Sequence, residues 1–223
     1  AKYKFWMAEC RYREAEGSPE SQGLYRVAAQ LYAEVPKSDR LVVANVSEAM
    51  AYAQLEDWPK VVELLKPVAS PFQMYASSSP DSSLTLQGRL ILAEALLRQN
   101  LYVDATHILS QLSELELAEQ DHWRHQMLLS RALTAQKEHK EALDVLEELL
   151  RTSENRMPQL RAAQAFELKL HVHTELGQFT KAAEMCRNLW QAGMPAVVRR
   201  RGLLLSLDLA VRNGTPLNIP EFH

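Results

Sequence analysis

The chain has 223 residues with 25 Lys and Arg against 28 Asp and Glu, a formal charge of −3, and its 35 Leu and 27 Ala far outnumber its 7 Gly. That composition favours helices over sandwiches and barrels, which need frequent Gly and Asn turns and β-branched runs. It holds no GxGxxG or GxxxxGK[ST] phosphate loop, shows none of the basic excess expected of a nucleic-acid binder, and has no apolar run long enough for direct membrane insertion.

In chain order, AKYKFWMAEC begins inside an apolar-periodic helix with neither an initiator Met nor a leader pattern, which predicts a piece of a longer protein. A short insertion at 14–20 follows. Within it Ser18-Pro19-Glu20 reads as the cap, first-turn proline and first-turn acid of the next helix. That helix carries Tyr25, Ala28, Tyr32 and Val35, whose offsets of 3, 7 and 10 lie on one helical face. The set recurs as Trp58, Val61, Leu65, Val68; as Tyr102, Ala105, Leu109, Leu112; as His139, Ala142, Leu146, Leu149; and as Phe179, Ala182, Cys186, Leu189. The rings are 33, 44, 37 and 40 residues apart. Asp57 and Asn100 are candidate caps of the helices that follow them. The stretch 69–83, ASPFQMYASSSPDSS, reads as a loop that accounts for the longest interval. Pro80 and Pro158 mark helix starts, and Gly193-Met194-Pro195 reads as a helix stop. Ala196–Arg212 reads as a last unpaired helix, and Asn213–His223 as an extended tail.

A second helix precedes each later ring, with a large residue six before it and a small one nine before: Tyr52 and Ala49, Leu96 and Ala93, Leu133 and Ser130. Before Phe179 the pair is His173 and Leu170, and the small residue is lost. Small residues on a helix pair let the backbones approach closely. Internal repetition of this kind is the mark of a repeat architecture.

The pattern resembles the tetratricopeptide repeat (TPR) family. Leu176-Gly177-Gln178-Phe179-Thr180-Lys181-Ala182-Ala183 is similar to its LG-x-[YF]-x-x-A core, and Pro36 and Pro195 follow second helices as the family's terminal proline does. Trp6-Met7-Ala8-Glu9-Cys10-Arg11-Tyr12 resembles the first helix of repeats in bacterial envelope proteins of the Tol–Pal-associated type. The repeats are degenerate: His139 replaces an aromatic ring, and Gly177 is the one glycine in its motif place. The resemblance implies an all-α fold, a right-handed α-α solenoid of about five helix pairs plus a C-terminal capping helix, about eleven helices in all. Its expected extent is residues 1–212, with repeats near 1–36, 40–70, 84–118, 121–153 and 158–193, a capping helix at 196–212 and a tail at 213–223. It also implies a bacterial protein, with the periplasm or cell envelope favoured over the cytoplasm.

No nucleophile motif supports catalysis, so no catalytic residue is assigned and the chain is read as a non-enzyme without a cofactor. Seven histidines raise the question of a metal. His171 and His173 fall on nearly opposite helix faces, and no HExxH or Cys/His cluster supports His122 with His125, so no metal site is assigned. Cys10 and Cys186 read as small buried hydrophobes, and Trp58 as core. Glu138, Glu141, Glu147 and Glu148 read as a solvated face pairing with Lys137 and Lys140, and Arg199-Arg200-Arg201 as another solvated face.

In this architecture the first helix of each pair lines the concave face. Inward positions next to the small-residue set are Met50 and Gln54, Glu94 and Arg98, Arg131 and Ala135, and His171 and Glu175, with Arg124 and Glu167 one or two turns earlier. The candidate partner-binding residues are therefore Glu94, Arg98, Arg124, Arg131, Glu167 and His171. The Lys/Asn carboxylate clamp of the family's chaperone-tail binders is missing, but arginines can hold an acidic segment bidentately. The expected function is an interaction scaffold that binds a protein or peptide segment in its groove, within a larger protein. The alternative is a sensor module in which a bound peptide or small ligand regulates an attached domain.

Overall fold

The computed structural model describes residues 2–36, 40–113, 115–152, 159–189 and 196–214. The expectations for Pro158, the Gly193-Met194-Pro195 stop and residues 215–223 lie outside them. The described residues form twelve α-helices and no strand: α1 (Lys2–Ala15), α2 (Ser21–Ala33), α3 (Leu41–Gln54), α4 (Trp58–Leu65), α5 (Pro71–Ser78), α6 (Ser83–Arg98), α7 (Tyr102–Ser110), α8 (Glu119–Ala135), α9 (His139–Thr152), α10 (Gln159–Glu175), α11 (Phe179–Leu189) and α12 (Ala196–Asn213). They fall into two compact units, Ala1–Leu128 and Leu129–His223.

The internal repeat is visible in the backbone. Helices α4, α7, α9 and α11 each begin at the ring residue of their set. Two residues before each ring stands a left-handed residue: Glu56, Asn100, Lys137 and Gly177, with φ of 57, 61, 65 and 70°. Each closes the same turn. The next N–H reaches back five residues, from Asp57 to Tyr52, Leu101 to Leu96, Glu138 to Leu133 and Gln178 to His173, at 2.8–3.0 Å. The left-handed residue's own N–H bonds three back, at 2.9–3.1 Å. This is the Schellman arrangement, which satisfies the last carbonyls of the first helix and reverses the chain. Asn100 therefore ends α6 rather than capping α7, whose cap position is Leu101. Only the fourth turn uses glycine; the others place a side chain in a conformation that costs L-residues free energy.

Ring-plus-3 and ring-plus-7 residues are buried in all five sets, from Ala28 and Tyr32 to Ala182 and Cys186. Of the ring-plus-10 residues, Val35, Leu112, Leu149 and Leu189 are buried, but Val68 is 89 % exposed. The cause is local. Helix α4 stops at Leu65, and Pro67 and a turn carry Val68 beyond its packing face.

The stretch 69–83 is not a loop throughout. Ser70 caps α5 by accepting from the Gln73 N–H at 3.2 Å, with Pro71 in the first turn. Phe72 is fully buried, and its backbone N–H donates to Oδ1 of buried Asn45 at 3.2 Å. The ring rests on α6 at Gly88, where an added Cβ would collide with Phe72 Cε2. A single buried aromatic inside a polar stretch carries too little periodicity to announce a helix.

Helix starts differ elsewhere. Asp57 caps α4 as expected, accepting from the Lys60 N–H at 3.3 Å. Residues 18–20 form a turn, with Ser18 Oγ accepting from the Glu20 N–H, and α2 begins only at Ser21. Helix α6 is capped by Ser82, downstream of Pro80.

Candidate functional site

The six candidate residues divide between the units, and each set is described by itself. In the N-terminal unit, Glu94 and Arg98 lie on α6 and Arg124 on the first half of α8. Arg124 Nη2 is 2.8 Å from Glu94 Oε2. Arg98 is exposed, with its guanidinium 5.3 Å from the centre of the Trp58 ring. Trp58 is therefore half-buried rather than core: one side packs, and the other carries a cation. Two of the three arginines proposed for the groove thus already hold partners inside the protein.

In the C-terminal unit, Arg131, Glu167 and His171 line one cavity of about 420 Å³. Its floor is α10 and its walls are α8 and α12. Leu168, Val197 and Leu205 give it apolar surface. Glu167 is drawn to one wall, 2.6 Å from Arg201 Nε. Arg131 is exposed and makes no ion pair among the described residues. His171 Nε2 is 3.4 Å from Glu175 Oε1, and the other oxygen of Glu175 is 3.6 Å from His139 Nε2. The slot is amphipathic, with two arginines and a histidine against one inward carboxylate.

Arg201 was not among the candidates, because its helix was read as a cap and its basic run as a solvated face. The available signal was the pair Gly202 and Ser206. Two small residues four apart mark a packing stripe, and both are buried. Arg201 borders that stripe and reaches α10.

The other chemistry-bearing residues are structural. His125 is buried; burial pushes its pKa down, and its Nε2 lies 2.8 Å from the Leu109 carbonyl. This matches a neutral ring donating from Nε2. His173 is buried, with Nδ1 2.8 Å from Gln178 Oε1. His139 is half-buried in its ring position. Among the described residues, no three His, Cys, Asp or Glu side chains are placed to hold a metal ion. Cys186 is buried as expected, whereas Cys10 is exposed on α1. Glu147 pairs with Lys169 on the facing helix at 2.9 Å and Glu148 with Arg151 one turn on at 2.7 Å, rather than with Lys137 and Lys140. Glu48 on α3 is buried, which raises its pKa to about 7 despite the opposing pull of Lys60.

No helix among the described residues is long and apolar enough to cross a membrane. No protein-family model matches the chain, and no curated protein matches it by sequence. Its structure is similar to that of a mutant of MamA, a TPR-like protein, with a TM-score of 0.56 and 17 % identity, over 83 % of this chain and 94 % of that one. The fold is thus an all-α, TPR-like helical repeat.

Proposed function

We propose that the chain is a non-enzymatic protein-interaction module that holds a protein segment against the first helices of its repeats. The observation that carries this reading is the slot along α10. It pairs apolar surface from Leu168, Val197 and Leu205 with Arg131, a cation that makes no ion pair among the described residues. Its volume suits several side chains of a bound segment. The preferred segment presents acidic residues beside apolar ones, because Arg131 and Arg201 outnumber Glu167. Glu94, Arg98 and Arg124, in the N-terminal unit, are less available to a partner, since their ion-pair and ring contacts would have to be given up or shared.

The test is selection of a random peptide library on the purified protein. Enrichment of sequences that place Asp or Glu next to Leu, Ile or Val is expected. Their affinity should fall about tenfold in Arg131→Glu and weaken with salt. Peptides without acidic residues, or binding indifferent to both Arg131→Glu and Glu167→Lys, would place the partner on another surface.

A further inference from the structure

Helix α12 is apolar on two opposite faces. Val198, Gly202, Ser206 and Leu209 are buried, and α12 packs on α10 and α11 as α6 packs on α3 and α4. It therefore stands where the first helix of another pair would stand. Gly214, with φ of 61°, occupies the place of the left-handed residues of the four helix-pair turns. Counting back from those residues, the fifth position is buried in all five helices: Ala51, Ala95, Ala132, Val172 and Leu209. The seventh position is buried as Ala49, Ala93, Ser130 and Leu170 under a second helix, but in α12 it is Leu207, which is exposed. The tenth is buried as Val46, Leu90 and Met127 and half-buried as Glu167 in α10, and in α12 it is Leu204, 57 % exposed. The face that a second helix covers elsewhere is bare here among the described residues.

The bare face has a symmetry of its own. It runs Val197, Arg200, Arg201, Leu204, Leu207, Asp208, Val211, all exposed. Turned end to end about Leu204, the centre of the pattern falls on itself: Val197 meets Val211, Arg200 meets Asp208 and Leu204 meets Leu204, while at the margin Arg201 meets Leu207. Such self-complementarity of charge and apolar surface is what a two-fold interface requires.

We propose that this face is a docking surface for α12 of a second copy of this chain, crossed antiparallel about a two-fold axis through Leu204. The Asp208–Arg212 pair on each helix, 2.9 Å long and exposed, would open to let Asp208 reach Arg200 of the partner. The surface shares Val197 and Arg201 with the rim of the peptide slot, but Arg200, Leu204 and Asp208, on which the test acts, do not line it.

Sedimentation velocity of the full chain, run at a series of concentrations up to about 100 µM, tests this. A dimer is expected, with Leu204→Asp monomeric and its helical circular dichroism unchanged. Arg200→Asp alone sets two acids against each other and Asp208→Arg alone sets two bases, so each should weaken dimerisation about tenfold. The double variant R200D/D208R restores both pairs with reversed sign and should return affinity to within about threefold of the parent. A chain monomeric throughout overturns the proposal, and so does a dimer indifferent to Leu204→Asp. A double variant no better than the single ones rules out antiparallel self-pairing. If removing residues 215–223 converts a monomer into a dimer, those residues and not a second copy cover the face.

Discussion

In residues 1–128 the polar groups of the first helices are turned to internal use. Arg124 holds Glu94, Arg98 lies on Trp58, Asn45 ties down α5, and Glu48 is buried. In residues 129–223 the equivalent helices border an open slot, where Arg131 pairs with no described carboxylate while Glu167 is held by Arg201 at 2.6 Å. The helix-pair register is the same in both. The N-terminal unit departs from it by inserting α5 between a shortened second helix and the next first helix, and anchoring that insertion consumes polar side chains. The C-terminal unit has no such described insertion. One repeat frame thus supports a surface that is internally satisfied and one with binding capacity to spare.

The largest expected effect tests whether α5 is core or ornament. Phe72→Ala should cost about 3–5 kcal/mol in chemical denaturation, as for a fully buried aromatic. Phe179→Ala in the C-terminal unit should cost about 2 kcal/mol, because that ring is only half-buried. Gly88→Ala should act through the same contact and cost about 1–3 kcal/mol by overpacking. Equal effects of Phe72→Ala and Phe179→Ala would erase the contrast.

Next is the buried acid of the N-terminal unit. The folded pKa of Glu48, about 7, lies above its ordinary 4.5, so between these values the folded state keeps a proton that the unfolded chain has released. Stability should therefore fall as pH rises from about 4.5 to about 7, and the full cost is present above that range. Glu48→Gln should flatten this slope and stabilise the protein at pH 8 by on the order of 2 kcal/mol. Urea midpoints at pH 4.5 and pH 8 measure both quantities, and an unchanged slope would mean that Glu48 is solvated.

Smaller effects belong to the turns. Lys137→Gly should relieve the left-handed backbone and stabilise by about 0.5–1 kcal/mol, whereas Gly177→Ala should destabilise by about 1 kcal/mol. Thermal unfolding of the two variants should shift in opposite directions; the same direction for both would break the equivalence of the four turns. Smallest is the Glu94–Arg124 pair. A double-mutant cycle should give under about 1 kcal/mol, since both side chains are partly solvent-exposed. A larger coupling would make it a structural strut and remove it from any binding face.

The helix pairs were legible in the chain because their cause is periodic. A ring, a small residue three on and large apolar residues seven and ten on define one face of a helix, and that face must be buried wherever the helix packs. The start of α9 at His139 and the burial of Ala142 and Leu146 follow from it. Val68 satisfied the same pattern and is exposed, because the pattern does not register that α4 ends at Leu65. Phe72 had no pattern around it, and its burial depends on Gly88, sixteen positions away, leaving room for a ring. Side-chain pairing on the surface was similarly out of reach. Helical spacing places Arg98, Arg124, Arg131, Glu167 and His171 on first helices, but whether a long side chain reaches solvent, a carboxylate or an indole depends on what the neighbouring helix offers. The packing of α12 beside α10 joined Arg201 to Glu167 and built a slot there, while the packing of α6 beside α4 laid Arg98 on Trp58. Local periodicity determines which face of each helix is buried; the distances between helices, which decide what each polar group meets, exist only in the packed structure.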